Sequence, residues 1–254
     1  MPAAIRNPLI PRAPWRGLGH LPLRAAPRLT EFVIPASTGS QNVLTAAQVA
    51  SVRKWWATEL AAPVRVQLFV DGPGCDSCEV TSRVLQQLQQ ASDKLEVNVT
   101  LAAAARRPGE DFDKRPETRV STSTGNTIRF YGTQVGVEVT SLVQTIADAS
   151  LPAAPLPANI IQRARTIPVD SWLRVFVGPA CTHCPGAVRA AVALALAHKE
   201  LSVEVVGTAD FPGLARAFKI SAVPTTVING RTFFEDPRSP SDVLDALLAS
   251  PPAG

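Results

Sequence analysis

All four cysteines of this 254-residue chain fall in two Cys-x-x-Cys pairs, Cys75-Asp76-Ser77-Cys78 and Cys181-Thr182-His183-Cys184. Thiol–disulfide exchange needs a thiolate that attacks a sulfur–sulfur bond, and a second thiol near enough to resolve the mixed disulfide. A Cys-x-x-Cys at the start of a helix supplies both. The first sulfur meets the unpaired N–H groups and dipole of the helix N-terminus, which favour the anion, and the second lies one turn on. Cys75 and Cys181 are therefore the candidate nucleophiles, and Cys78 and Cys184 the candidate resolving thiols. Neighbouring charges should tune each pair. His183 can bring an imidazolium or N–H donor to the Cys181 thiolate, whereas Asp76 sets a negative charge beside Cys75, offset in part by Arg115 if that side chain faces the loop. On charge alone, Cys181–Cys184 is expected to be the more oxidising couple. The same four thiols could in principle hold one zinc ion. Zinc ribbons, however, separate their knuckles by roughly 15–20 residues, and here a whole repeat intervenes.

The elements that must position these thiols occur twice. "VRVQLFVDGPGCDSC" in the first half answers "WLRVFVGPACTHC" in the second, each an apolar run, a Gly-Pro break and then the pair. Val64–Val70 and Leu173–Val177 read as strands entering the dithiol loops. Val80, Val84, Leu85 and Leu88 then share one helical face, as do Val188, Ala191, Val192 and Ala195. Leu95, Val97, Val99 and Leu101 alternate as a strand, and Leu201, Val203 and Val205 repeat the pattern. "RPETRV" at 115–120 matches "VPTTVI" at 223–228, and a hairpin follows each, the second at the type I′ signal Asn229-Gly230. Amphipathic helices at 137–147 and 243–248 close the two units. A further helix over 45–60, capped by Thr45, precedes the first strand. It holds Trp55 and Trp56, which cannot both face inward.

Residues 1–44 are of a different kind. They carry five arginines against Glu31, and seven of the 23 prolines, which predicts a disordered arm. That arm accounts for the whole net charge of +4, so the remaining residues balance at zero and no basic face for nucleic acid is implied. No stretch approaches the ~20 apolar residues of a membrane span, and the secretory apolar core is lacking. The expectation is a cytoplasmic protein without membrane or nucleic-acid partners. In a reducing cytosol, paired cysteines are catalytic or metal-binding more often than structural.

The order strand, dithiol, helix, strand, proline, hairpin, helix is that of the thioredoxin fold. Its doubling resembles the protein disulfide oxidoreductases of hyperthermophiles, which are tandem thioredoxin-like (glutaredoxin-like) units with a Cys-x-x-Cys in each. The resemblance spans about residues 45–250 and rests also on "RFYG" at 129–132 and "CTHCPGAVRAA" at 181–191. It implies an α/β chain of two fused units, each a central mixed sheet flanked by helices, at 45–150 and 169–250 with a linker at 151–168. It implies that Pro116 and Pro224 are cis, each opposite its dithiol, where a client chain pairs as an added strand. It also implies reduction, formation or isomerisation of client disulfides with no bound cofactor or metal. Electrons would come from NADPH through a thioredoxin-reductase-like flavoenzyme. A weaker resemblance, to the N-terminal region of the alkyl hydroperoxide reductase flavoprotein, implies an electron donor to a peroxidase; that region has one working dithiol. A non-catalytic thiol- or metal-binding redox sensor is the reading from another class. Two departures mark the first unit: Pro108-Gly109 interrupts residues 102–114, and Arg115 stands before Pro116 where an apolar residue is usual. The second site is therefore expected to lead.

Overall fold

The structure, a computed structural model, describes residues 43–71, 74–101, 115–250 and 252. The expected arm, save residues 43 and 44, and the Pro108-Gly109 interruption lie outside the described residues. The first helix, α1 (Ala46–Glu59), begins in a reciprocal cap: Gln48 N–H donates to Thr45 Oγ1 at 3.2 Å, and Thr45 N–H to Gln48 Oε1 at 2.7 Å. Of its two tryptophans, Trp56 is the buried one, and its Nε1–H donates to the Val143 carbonyl at 3.2 Å. Trp55 is left half-buried.

The first unit continues as β1 (Val64–Val70), α2 (Asp76–Gln89), β2 (Leu95–Leu101), β3 (Glu117–Ser121), β4 (Thr127–Tyr131) and α3 (Val137–Ala149). The second runs α4 (Ala158–Ala164), β5 (Trp172–Val177), α5 (Cys184–Ala197), β6 (Ser202–Gly207), α6 (Pro212–Ala217), β7 (Thr225–Ile228), β8 (Arg231–Phe234) and α7 (Pro240–Ala249). Helix α4 falls within 151–168, where the prolines suggested only a linker. It buries Ile160 and Ala164 and stands before β5 as α1 stands before β1. At seven residues it is too short to show a helical period among its flanking prolines.

The eight strands form one sheet in the order β2-β1-β3-β4-β6-β5-β7-β8. Each unit supplies four strands in the same relative order, and the halves join where β4 pairs in parallel with β6. The expected pair of sheets is thus one continuous sheet. Strands β1, β2, β4, β5 and β6 all run in the same direction. The loops that follow β1 and β5 therefore emerge at the same edge. Four strand intervals separate them, about 19 Å at ~4.8 Å per interval.

Alternation along β5 shows how the two faces are used. Leu173, Val175 and Val177 join the main core under the layer in which α2, α1, α3, α5, α4 and α7 touch in turn. Phe176 points the other way, into a second cluster with Tyr131, Val206, Val227 and Leu214 of α6. The join between units is also polar. Arg189 on α5 grips Asp148 on α3 through two bonds, of 3.0 and 3.1 Å. Asn126, in the first unit's hairpin turn, donates to the carbonyls of Ala195, His198 and Leu201 at 2.8–3.2 Å, so it caps the end of α5.

Candidate functional site

Each dithiol loop sits between a buried parallel strand and a helix, and both pairs are closed as disulfides, Cys75–Cys78 and Cys181–Cys184. In each pair the first cysteine is half-buried and the second is buried. Cys75 is the N-cap of α2. Cys78 N–H points at its sulfur from 3.2 Å, and Ser77 Oγ lies 3.5 Å away. The second loop differs from expectation. A turn, with Cys184 N–H on the Cys181 carbonyl at 3.2 Å, comes first, and α5 begins only at Cys184 with exposed His183 as its N-cap. Among the described residues no hydrogen bond reaches Cys181 Sγ. Pro185 explains the late start: proline has no N–H to give and suits the first turn.

The charges near the two sulfurs also differ. The first turn of α2 carries exposed Asp76 and Glu79, and Asp71 is exposed before the loop, whereas the first turn of α5 has no acid. Arg115 is nearly fully buried. Its Nη1 lies 3.6 Å from Oε2 of the buried Glu117, which also binds Arg119 at 2.5 and 2.8 Å. Its charge is thus engaged by an ion cluster within the sheet. Each exposed carboxylate near Cys75 opposes its thiolate by about 0.2–1 kcal/mol, the size of an exposed charge pair. A charge-assisted N–H bond returns about 1.5–3 kcal/mol. The two contributions are of similar size and opposite sign. The hydrogen bond at Cys75 thus acts on the first couple beside the charges that rank the two.

Both peptide bonds, Arg115–Pro116 and Val223–Pro224, are cis. Glu117 pairs with Phe69 and Thr225 with Phe176, so each proline stands level with the last residue of the strand that leads into its dithiol. In the second unit the proline loop lies close to the dithiol loop: a Cβ added to Gly178, three residues before Cys181, would meet Val223 Cγ2 at 3.4 Å. In the first, the Pro116 carbonyl accepts from Gly132 N–H at 3.0 Å.

Sequence reading missed the segment that leans on the second loop from the other unit. Gly136 has φ +57, and a side chain there would press its Cβ to 2.4 Å from the Pro179 carbonyl. That carbonyl, two residues before Cys181, accepts from Val137 N–H at 3.0 Å. The next residue, Glu138, is buried at the start of α3, and its Oε1 has no hydrogen-bond partner. Burial first, and the charge of Asp210 second, push its carboxyl from an ordinary 4.5 up to about 8. Asp210 itself accepts from Thr133 N–H at 2.9 Å and from Thr133 Oγ1–H at 2.7 Å. The signal available was an acid between two valines, Val137-Glu138-Val139, at the start of a helix whose other acid, Asp148, is answered by Arg189.

Two four-stranded α/β units, each with a Cys-x-x-Cys disulfide after its first strand and a cis-proline level with it, define a tandem thioredoxin-fold protein. Residues 173–235 match the thioredoxin domain family. A protein disulfide oxidoreductase from Aeropyrum pernix superposes with a TM-score of 0.71 at 22% identity, covering 83% of this chain and 93% of its own. The alkylhydroperoxide reductase AhpF from Enterococcus faecalis (a C503A mutant) gives 0.69 at 24% identity, covering 80% of this chain and 99% of its own. A curated NADH dehydrogenase from Ferdinandcohnia aciditolerans is 27% identical over 161 residues, 63% of this chain and 28% of that protein. The chain spans less than a third of the length of the curated relatives it matches. Among the described residues no helix is long and apolar enough to cross a membrane.

Proposed function

We propose that this chain is a cytoplasmic thiol–disulfide oxidoreductase acting on protein disulfides, with the Cys181–Cys184 site doing most of the work. The observation that carries the reading is the doubled constellation of strand, disulfide loop, helix and level cis-proline at one sheet edge. In the reducing direction the Cys181 thiolate attacks one sulfur of a client disulfide. The client S–S bond breaks, its other sulfur leaves as a thiolate, and a Cys181–client disulfide forms. Cys184 then attacks Cys181 Sγ, releases the second client thiol and leaves the disulfide seen here. The reverse sequence oxidises a client dithiol. In this reading Glu138, next to the Val137 N–H that holds the Pro179 carbonyl, exchanges a proton during these steps, and Val223 with Pro224 serves as the docking edge for the client chain.

Reducing equivalents would reach both dithiols from NADPH through a partner flavoenzyme. The unit boundaries implied are 45–150 and about 157–250, with α4 belonging to the second unit and the linker shortened to the prolines before it. A second reading, electron donor to a peroxidase, is supported by the superposition on the alkylhydroperoxide reductase. The test of the function is insulin-disulfide reduction with dithiothreitol. The expected result is acceleration by the wild-type chain. Absence of acceleration in a protein that purifies with stoichiometric zinc would instead establish the metal-holding scaffold, and acceleration only of hydroperoxide turnover by a thiol peroxidase would establish the donor reading.

A further inference from the structure

Among the described residues strand β2 ends the sheet and leaves one long side unpaired. Its Val99 and Leu101 are 51% and 59% exposed, and only Val169 joins them as an exposed large apolar side chain among the described residues. The second unit shows what such a strand looks like when covered. Strand β6 stands beside β5 as β2 stands beside β1, yet its Val203 and Val205 are fully buried, because β4 pairs along its far side.

Exposed edges are usually blunted by shortness, proline, lysine or a bulge. At the other end of the sheet β8 has four residues, and its pairing slips at Thr226/Val227. Strand β2 has none of these devices: its seven residues keep one register with β1 throughout, and its single charge, Glu96, lies 3.5 Å from Arg65. Val64 N–H takes the Lys94 carbonyl at 2.8 Å. The even-numbered residues therefore turn their backbone groups toward β1, and Leu95, Val97, Val99 and Leu101 turn theirs outward.

The apolar positions of this edge are symmetric about Asn98: Leu95 and Val97 on one side mirror Leu101 and Val99 on the other, with Glu96 answering Thr100. We propose that β2 pairs antiparallel with β2 of a second copy of this chain, on a twofold axis at Asn98. In that register Val97 faces the partner's Val99, and Leu95 faces the partner's Leu101. Among the described residues the outward N–H and C=O groups of Val97 and Val99 are free to exchange bonds, whereas Leu95 N–H already donates to the Ser92 carbonyl at 3.3 Å, so the outer pair adds chiefly side-chain contact. On the opposite face Glu96 meets the partner's Thr100 and Asn98 meets its twin, so no like charges oppose. A second copy satisfies this symmetry, which an unrelated strand has no reason to share. Antiparallel pairing also turns the two dithiol edges to opposite sides of the joined sheet and leaves both open.

Sedimentation equilibrium of the full chain, run with reductant so that no intermolecular disulfide contributes, tests the proposal. The wild type should sediment at twice the chain mass and Val99→Lys at the chain mass, with unchanged far-UV circular dichroism. Asn98→Asp, which sets two carboxylates against each other on the axis, should weaken association, while Asn98→Ser should not. A wild type that is monomeric at every concentration overturns the proposal, whether or not it captures another protein. So does a Val99→Lys protein that still dimerises, or an Asn98→Asp protein that associates as the wild type does. Should Val99→Lys unfold, the Asn98 pair decides alone.

Discussion

Cys181→Ser will lower insulin-disulfide reduction far more than Cys75→Ser, and the double variant will have no activity above dithiothreitol alone. The basis of this asymmetry changes once the loops are folded. The hydrogen bonds at Cys75 offset the carboxylates around it, so the two couples should titrate against glutathione within about 30 mV, the equivalent of ~1.4 kcal/mol for two electrons. Access separates them instead. The second site has exposed Thr182 and His183 and an apolar Val223 beside its cis-proline. The first is rimmed by exposed Asp71, Asp76 and Glu79, and its proline follows an arginine drawn into the Glu117 cluster. A difference of about 1–2 kcal/mol in client binding is about tenfold in turnover. Equal losses in the two single variants would refute this division of labour, as would a larger loss at Cys75.

The second large effect is on stability. Glu138 holds its proton up to about pH 8 in the folded chain but only to about its ordinary 4.5 when unfolded. Between those values the folded state binds the extra proton. The unfolding free energy therefore falls as pH rises through the window and levels off above it. With ~1.4 kcal/mol per unit of pKa, the contribution amounts to a few kcal/mol, discounted by any relaxation of the site. Glu138→Gln keeps the shape and removes the titration. Its urea-unfolding free energy should lack this fall, so that it exceeds the wild type most near pH 8. A wild-type minus variant difference that stays flat from pH 5 to 8 would show that Glu138 is ionised in the fold. In the same variant, client reduction by the Cys181 site should slow.

Most of the fold was legible because it is local and repeated. Strand alternation at Leu95–Leu101 and Leu201–Val205, the Asn229-Gly230 turn with φ +47 and +84, and the Thr45 cap all express themselves within a few residues. The join of the units was not legible. Ile128 and Phe130 alternate against Val203 and Val205 as they would against any strand, and nothing in that pattern says which partner it finds. The late start of α5 was signalled by Pro185, which belongs in a first turn, but the cysteine spacing overshadowed it. Glu138 escaped notice because its burial beside Gly207 and Asp210 of the second unit exists only in the folded chain.

Trapping the mixed disulfide tests the central claim most directly. Cys184→Ser leaves Cys181 without its resolving partner, so the reduced variant, mixed with a disulfide-bonded client, should accumulate a covalent adduct. Peptide mass spectrometry after alkylation should place that adduct on Cys181, and reductant should release it. Failure of reduced Cys184→Ser to form an adduct with any disulfide client, while Cys181 remains open to alkylation, would contradict the account.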